Sequence, residues 1–90
     1  MPLIERVVLD VLKPLTPNAL EFAAAIVEQH PGCRVTVTVT EVDAKTETTQ
    51  VVVEGSDVPY AAIAETIAAL GASVHSIDEV VVSSVQQPTS

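Results

Sequence analysis

Two valine triplets, Val51-Val52-Val53 and Val80-Val81-Val82, stand in the later strands of a chain that reads twice as strand, helix, strand. Side chains alternate faces along a strand, so three consecutive valines make both faces of a sheet apolar. The 90 residues fit one compact domain, and a domain this small buries a modest fraction of its surface. Its helices can cover only one face of a sheet. The other face is therefore expected to meet a second copy, which predicts a homo-oligomer.

The local pattern predicts six elements. Residues Glu5 to Leu12 are rich in β-formers and read as a strand that Lys13-Pro14 stops, since proline donates nothing to a ladder. Thr16 as N-cap, Pro17 at the first helical position and Leu15 with Leu20 as a hydrophobic staple predict a helix to about Gln29. Its stripe is Ala19, Phe22, Ala23, Ile26 and Val27. After the breaker His30-Pro31-Gly32, Arg34 to Val42 alternates valine with threonine, the clearest strand in the chain. Asp43-Ala44-Lys45 reads as a hairpin turn into an antiparallel strand from Thr46 to Glu54. A second helix, with Asp57 as cap and Pro59 in its first turn, carries Tyr60, Ile63, Ile67 and Leu70 and stops at Gly71. The last strand runs from Ser73 to about Ser83. His75, Asp78 and Glu79 interrupt its alternation and leave its register open.

The order β-α-β-β-α-β is most simply satisfied by a ferredoxin-like α+β sandwich: a four-stranded antiparallel sheet with both helices on one face. The first strand lies at its centre, between the third and the fourth. Residues 1–83 form the single domain, and 84–90 are expected to be a flexible tail. Val8, Leu12, Val52, Val80 and Val82 are the expected oligomer interface, because a contiguous apolar patch is rarely left in water.

Composition excludes several classes of function. With 12 acidic against 4 basic residues the formal net charge is -8, which repels a phosphate backbone and argues against nucleic acid as partner. The same balance is that of proteins kept soluble in concentrated salt, a hint of a halophilic source. Apolar residues make up 48% and aromatics 2%, so the core is built of Val, Ile, Leu and Ala around Phe22 and Tyr60. Cys33 is alone, so no internal disulfide forms, and a cytoplasmic setting is the default. No segment has the apolar length needed to span a bilayer or the layout of a signal peptide, so no membrane is expected as partner.

Four segments together resemble a known family: RVVLDVLKP (Arg6 to Pro14), TEVDAKTE (Thr40 to Glu47), Glu54-Gly55 and VHSIDEVV (Val74 to Val81). They resemble, over nearly the whole chain and in the same order, the archaeal domain-of-unknown-function family 211. The resemblance implies a ferredoxin-like fold, homo-oligomeric assembly and an archaeal cytoplasm, with no settled activity. Family members often follow the last motif with a small residue, a glycine and a basic residue, where this chain has Val82-Ser83-Ser84. No anion-binding role is carried over to that position.

Asp10 stands mid-strand among apolar residues, and a buried carboxylate must be paired or hydrogen-bonded. With His75, Asp78 and Glu79 on the neighbouring strand it forms a candidate metal set. Carboxylates alone suit a hard divalent cation, and His75 shifts the preference toward a transition metal. The competing reading pairs Asp10 with Arg6 or Lys13, or has it cap a subunit contact, and leaves Asp78 and Glu79 to bond backbone or a neighbouring chain. His75 lacks a nucleophile and an orienting partner, so it reads as structural rather than catalytic. His30 is placed to meet the last carbonyls of the first helix. Cys33 reads as a small core residue, and the acidic hairpin Glu41 to Glu47 as a solvated tip or an oligomer contact. Gly32, Gly55 and Gly71 stand singly at element ends, so no phosphate loop is present.

The sequence therefore predicts a non-enzymatic self-assembling domain, forming a ring or array, with no cofactor. The alternative is a module that binds or senses a small ligand or a divalent cation.

Overall fold

A computed structural model describes residues 1–84 of the chain. Its elements are β1 (Pro2–Pro14), α1 (Ala19–Gln29), β2 (Arg34–Val42), β3 (Thr46–Glu54), α2 (Tyr60–Ala69) and β4 (Ser73–Ser84). The strands make one sheet in the order β2-β3-β1-β4, every neighbouring pair antiparallel. This is the ferredoxin-like α+β arrangement that the element order implies. Of the expected tail, only Ser84 is described, as the last residue of β4; 85–90 lie outside the described residues.

Alternation decides where the core sits. Val7, Leu9 and Val11 of β1 and Val51 and Val53 of β3 point to one side, where Phe22 and Ile26 of α1 and Ile63 and Ile67 of α2 meet them, all buried. Both helices thus cover the same face. Each such side chain contributes roughly 1.5–3 kcal/mol relative to exposure, so this layer holds the domain together.

β1 is longer than its sequence pattern predicts, at both ends, because its partners are long. Pro2 still pairs with Ser84, and Pro14 with Thr46. Proline is tolerated at both strand ends, where one ladder bond fewer costs little.

The helix starts differ from expectation. Asn18, not Thr16, caps α1: its side chain accepts from the Glu21 N–H at 2.8 Å while the Glu21 carboxylate accepts from the Asn18 N–H at 3.1 Å. This reciprocal box satisfies two orphan donors at once, and Thr16 has no comparable partner three residues on. The staple fails as well, since Leu20 remains 78% exposed. In α2 the N-cap position is Pro59, without a side-chain cap. Asp57 instead accepts the Ile4 N–H at 3.2 Å, tying the loop to β1. Gly71 ends α2 as expected, at φ +85°: its N–H reaches the Ala68 carbonyl and the Ala72 N–H reaches that of Ile67.

Candidate functional site

The face away from the helices is organised as cross-strand rows. Across β2, β3 and β1 the register aligns Arg34, Glu54 and Arg6, then Thr36, Val52 and Val8, then Thr38, Gln50 and Asp10. Directly opposite residues share a face, so β4 adds Val81 to the first row, Glu79 to the second and Ser76 to the third. Hydrocarbon and hydrogen-bonding groups thus alternate on it. Arg6 ties three strands here, donating from Nε to Glu79 at 2.6 Å and from Nη1 to Glu54 at 3.1 Å. The hydrogen bond to Glu79 is the main cause that raises the guanidinium above its usual pKa; desolvation opposes it, and the bond to Glu54 adds a smaller rise.

This layout corrects part of the expected interface. Val8 is only 4% exposed in the single molecule, since it sits on the central strand with Val52 and Glu79 directly opposite it. Leu12 and Val52 are half-buried. Val80 and Val82 do not share the face of Val8 and Val52: their partners Val7 and Ile4 lie on the helix side, so these two point that way too.

Four exposed large apolar side chains are gathered along β4 itself. Ile77, Val80, Val81 and Val82 are 50%, 55%, 41% and 52% exposed, and the helices leave this end of the strand uncovered. β4 is also an edge, with no described strand on its outer side. Unpaired N–H and C=O groups beside exposed valines make a template for another strand. Ile77 and Val81 belong to this surface although the sequence reading omitted them. The triplet itself was the signal for Val81, because its middle member must face opposite to the other two.

The metal candidates are spread over different geometries. Two register shifts on β4 leave His75 and Asp78 with no residue opposite them on β1. These bulges explain the broken alternation, and each re-aims the side chain it carries. Asp78 accepts from the Ser76 hydroxyl at 2.7 Å, Glu79 is held by Arg6, and Asp10 stands opposite Ser76. Neither Arg6 nor Lys13 is the partner of Asp10: Arg6 serves Glu54 and Glu79, and Lys13 serves Glu47. Among the described residues, no three His, Cys, Asp or Glu side chains come together closely enough to hold a metal ion.

A cleft of about 270 Å³ opens where α1 ends and α2 begins, lined in part by His30, Cys33, Gly55 and Asp57. Two of its polar side chains are already engaged. His30 Nε2 lies 2.8 Å from the Thr66 hydroxyl, so its ring meets α2 rather than the carbonyls of its own helix, and Asp57 holds β1. Cys33 is half-buried against the core as expected, with its Sγ 3.5 Å from where a Cβ on Gly55 would stand.

Sequence reasoning missed Lys13. It is fully buried, its ammonium donating to the Pro14 carbonyl at 2.8 Å and standing 3.4 Å from the Glu47 carboxylate. The signal was present: Lys13 continues the phase of Val7, Leu9 and Val11, and Glu47 stands directly opposite it.

No helix among the described residues is long and apolar enough to cross a membrane. The model of the family DUF211, described as "Uncharacterized ArCR", matches residues 5–86. "Uncharacterized protein MJ0319" of Methanocaldococcus jannaschii is 41% identical over 78 residues, covering 87% of this chain and 80% of that protein. The match runs through all four strands and both helices, so this chain belongs to DUF211, an archaeal family of uncharacterised proteins.

Proposed function

We propose that this protein is a non-enzymatic, self-assembling domain whose copies join through β4. The observation that supports this reading is the coincidence of an unpaired sheet edge with four exposed apolar side chains on one strand. A second copy fits that edge for a reason of symmetry. When two β4 strands run antiparallel about a two-fold axis, one register opposes valine to valine throughout the triplet: Val81 meets its own counterpart, and Val80 meets Val82 of the other copy. Such a contact is self-complementary, as a two-fold interface must be.

Four side chains supply less than the roughly 800 Å² per partner usual in a stable interface. A larger ring or array therefore needs a second contact, for which the open face with Leu12 and Val52 is the available surface.

Oxidative cross-linking tests the register. Residues opposed in an antiparallel pair have Cα atoms roughly 4.5–5.5 Å apart, inside the range a disulfide accepts. The double variant Cys33→Ser/Val81→Cys is expected to form a covalent dimer under mild oxidation. A variant that stays single-chain at concentrations where the unmodified protein is oligomeric would rule out this strand pairing, and a monomeric mass for the unmodified protein at high concentration would rule out assembly itself.

A further inference from the structure

We infer that assembly through β4 is gated by ionic strength, with copies held apart in dilute electrolyte and joined as salt rises. The inference rests on the self-assembly reading above and adds its regulation.

The argument begins with the cations. Against 12 acidic residues the chain has Arg6, Lys13, Arg34 and Lys45. Two of these four are committed within the molecule. Arg6 is clamped by Glu54 and Glu79, and Lys13 is fully buried against Glu47, so both charges are already answered by carboxylates of their own copy. Arg34 and Lys45 lie on β2 and on the hairpin that follows it. In the order β2-β3-β1-β4 that is the opposite edge of the sheet from β4. The edge that would pair has no arginine or lysine of its own: it brings Asp78 and, beside it, the Glu54–Arg6–Glu79 triad, in which one guanidinium is shared by two carboxylates and a net negative charge remains.

Two such edges approaching each other bring like charge toward like charge, backed by a net charge of -8 on each copy. What favours association there is apolar contact and main-chain hydrogen bonding, both indifferent to dilute salt. What opposes it is Coulomb repulsion. The Debye length falls from about 30 Å at 0.01 M to about 3 Å at 1 M, so repulsion across the width of a small domain is felt in the first case and extinguished in the second. The interface is therefore expected to strengthen with salt, the reverse of an interface held by ion pairs.

The test measures the dissociation constant of the full chain by sedimentation equilibrium in 20 mM, 200 mM and 1 M NaCl at fixed pH. A companion variant, Asp78→Asn/Glu28→Gln/Glu65→Gln, removes three exposed negative charges and leaves the Arg6 and Lys13 pairs intact. The expected result is a dissociation constant at least about tenfold lower at 1 M than at 20 mM, with most of that dependence lost in the variant because it already associates in dilute buffer. Equal association at all three salt concentrations would overturn the gating and leave the assembly reading standing. An equally steep response in the variant would assign the effect to salting-out of hydrocarbon and likewise overturn it. A monomer at every salt concentration would remove both the gating and the assembly.

Discussion

The Lys13–Glu47 pair is the costliest charge arrangement in the molecule, since an ammonium with no exposure keeps one carboxylate and one carbonyl as company. Removing one partner of a buried pair leaves an uncompensated charge and typically costs about 3–5 kcal/mol. Glu47→Ala is expected to lose an amount of that order in urea unfolding. The double replacement Lys13→Met/Glu47→Leu should come within about 1 kcal/mol of the parent or exceed it, because an apolar pair of similar volume carries no desolvation penalty. A second replacement separates the two caps considered for α1. Asn18→Ala should cost about 1 kcal/mol and Thr16→Ala almost nothing, measured the same way, since only Asn18 bonds the first turn. Both features were written in the sequence in plain form, as Asn18 three residues before Glu21 and as Lys13 in phase with Val7, Leu9 and Val11. Each was masked by a louder neighbour. Proline after Lys13 suggested an end, and proline after Thr16 suggested a beginning.

Among the elements, β4 carries the proposed function and was the least legible. The strands and their order followed from alternation and turn residues, and β2 and β3 lie where the pattern put them. Alternation fails in β4 because two of its residues, His75 and Asp78, are bulged out of the ladder, and a bulge inverts which side chains share a face beyond it. The two bulges cancel, so the second valine triplet keeps the phase of Val74: Val80 and Val82 turn to the helix side and Val81 to the other. That placement undoes the picture of one bare apolar face, and so do the burial of Val8 by its own neighbours and the polar rows that interrupt the rest. Val80→Lys/Val82→Lys is expected to yield a monomer at concentrations where the parent associates, with the melting temperature of the isolated fold changed by only a few degrees. Both side chains are more than half exposed, so the folded monomer gives up little by losing them. Sedimentation and a thermal scan on the same sample check the two halves of that statement.

Across the entire domain, protection should follow the sheet. The amides of β1 from Val7 to Val11 lie on a strand paired on both sides and packed on the core, so they are expected to exchange last with solvent, at the rate of global unfolding. Amides on the outer edge of β4 should exchange early in dilute buffer and slow once copies associate, which hydrogen-exchange mass spectrometry at two protein concentrations would show. β1 precedes both of its partners along the chain, and its pairing with β4 joins Pro2 to Ser84. Until β4 has been synthesised, β1 can zip only to β3, and its other flank must wait. Pairings so distant along the backbone are slow to form, because a long loop must close before any contact rewards it. The nascent chain thus spends that interval with the middle of its future sheet half-made, and completion of folding is set by the arrival of the same strand that later meets a second molecule.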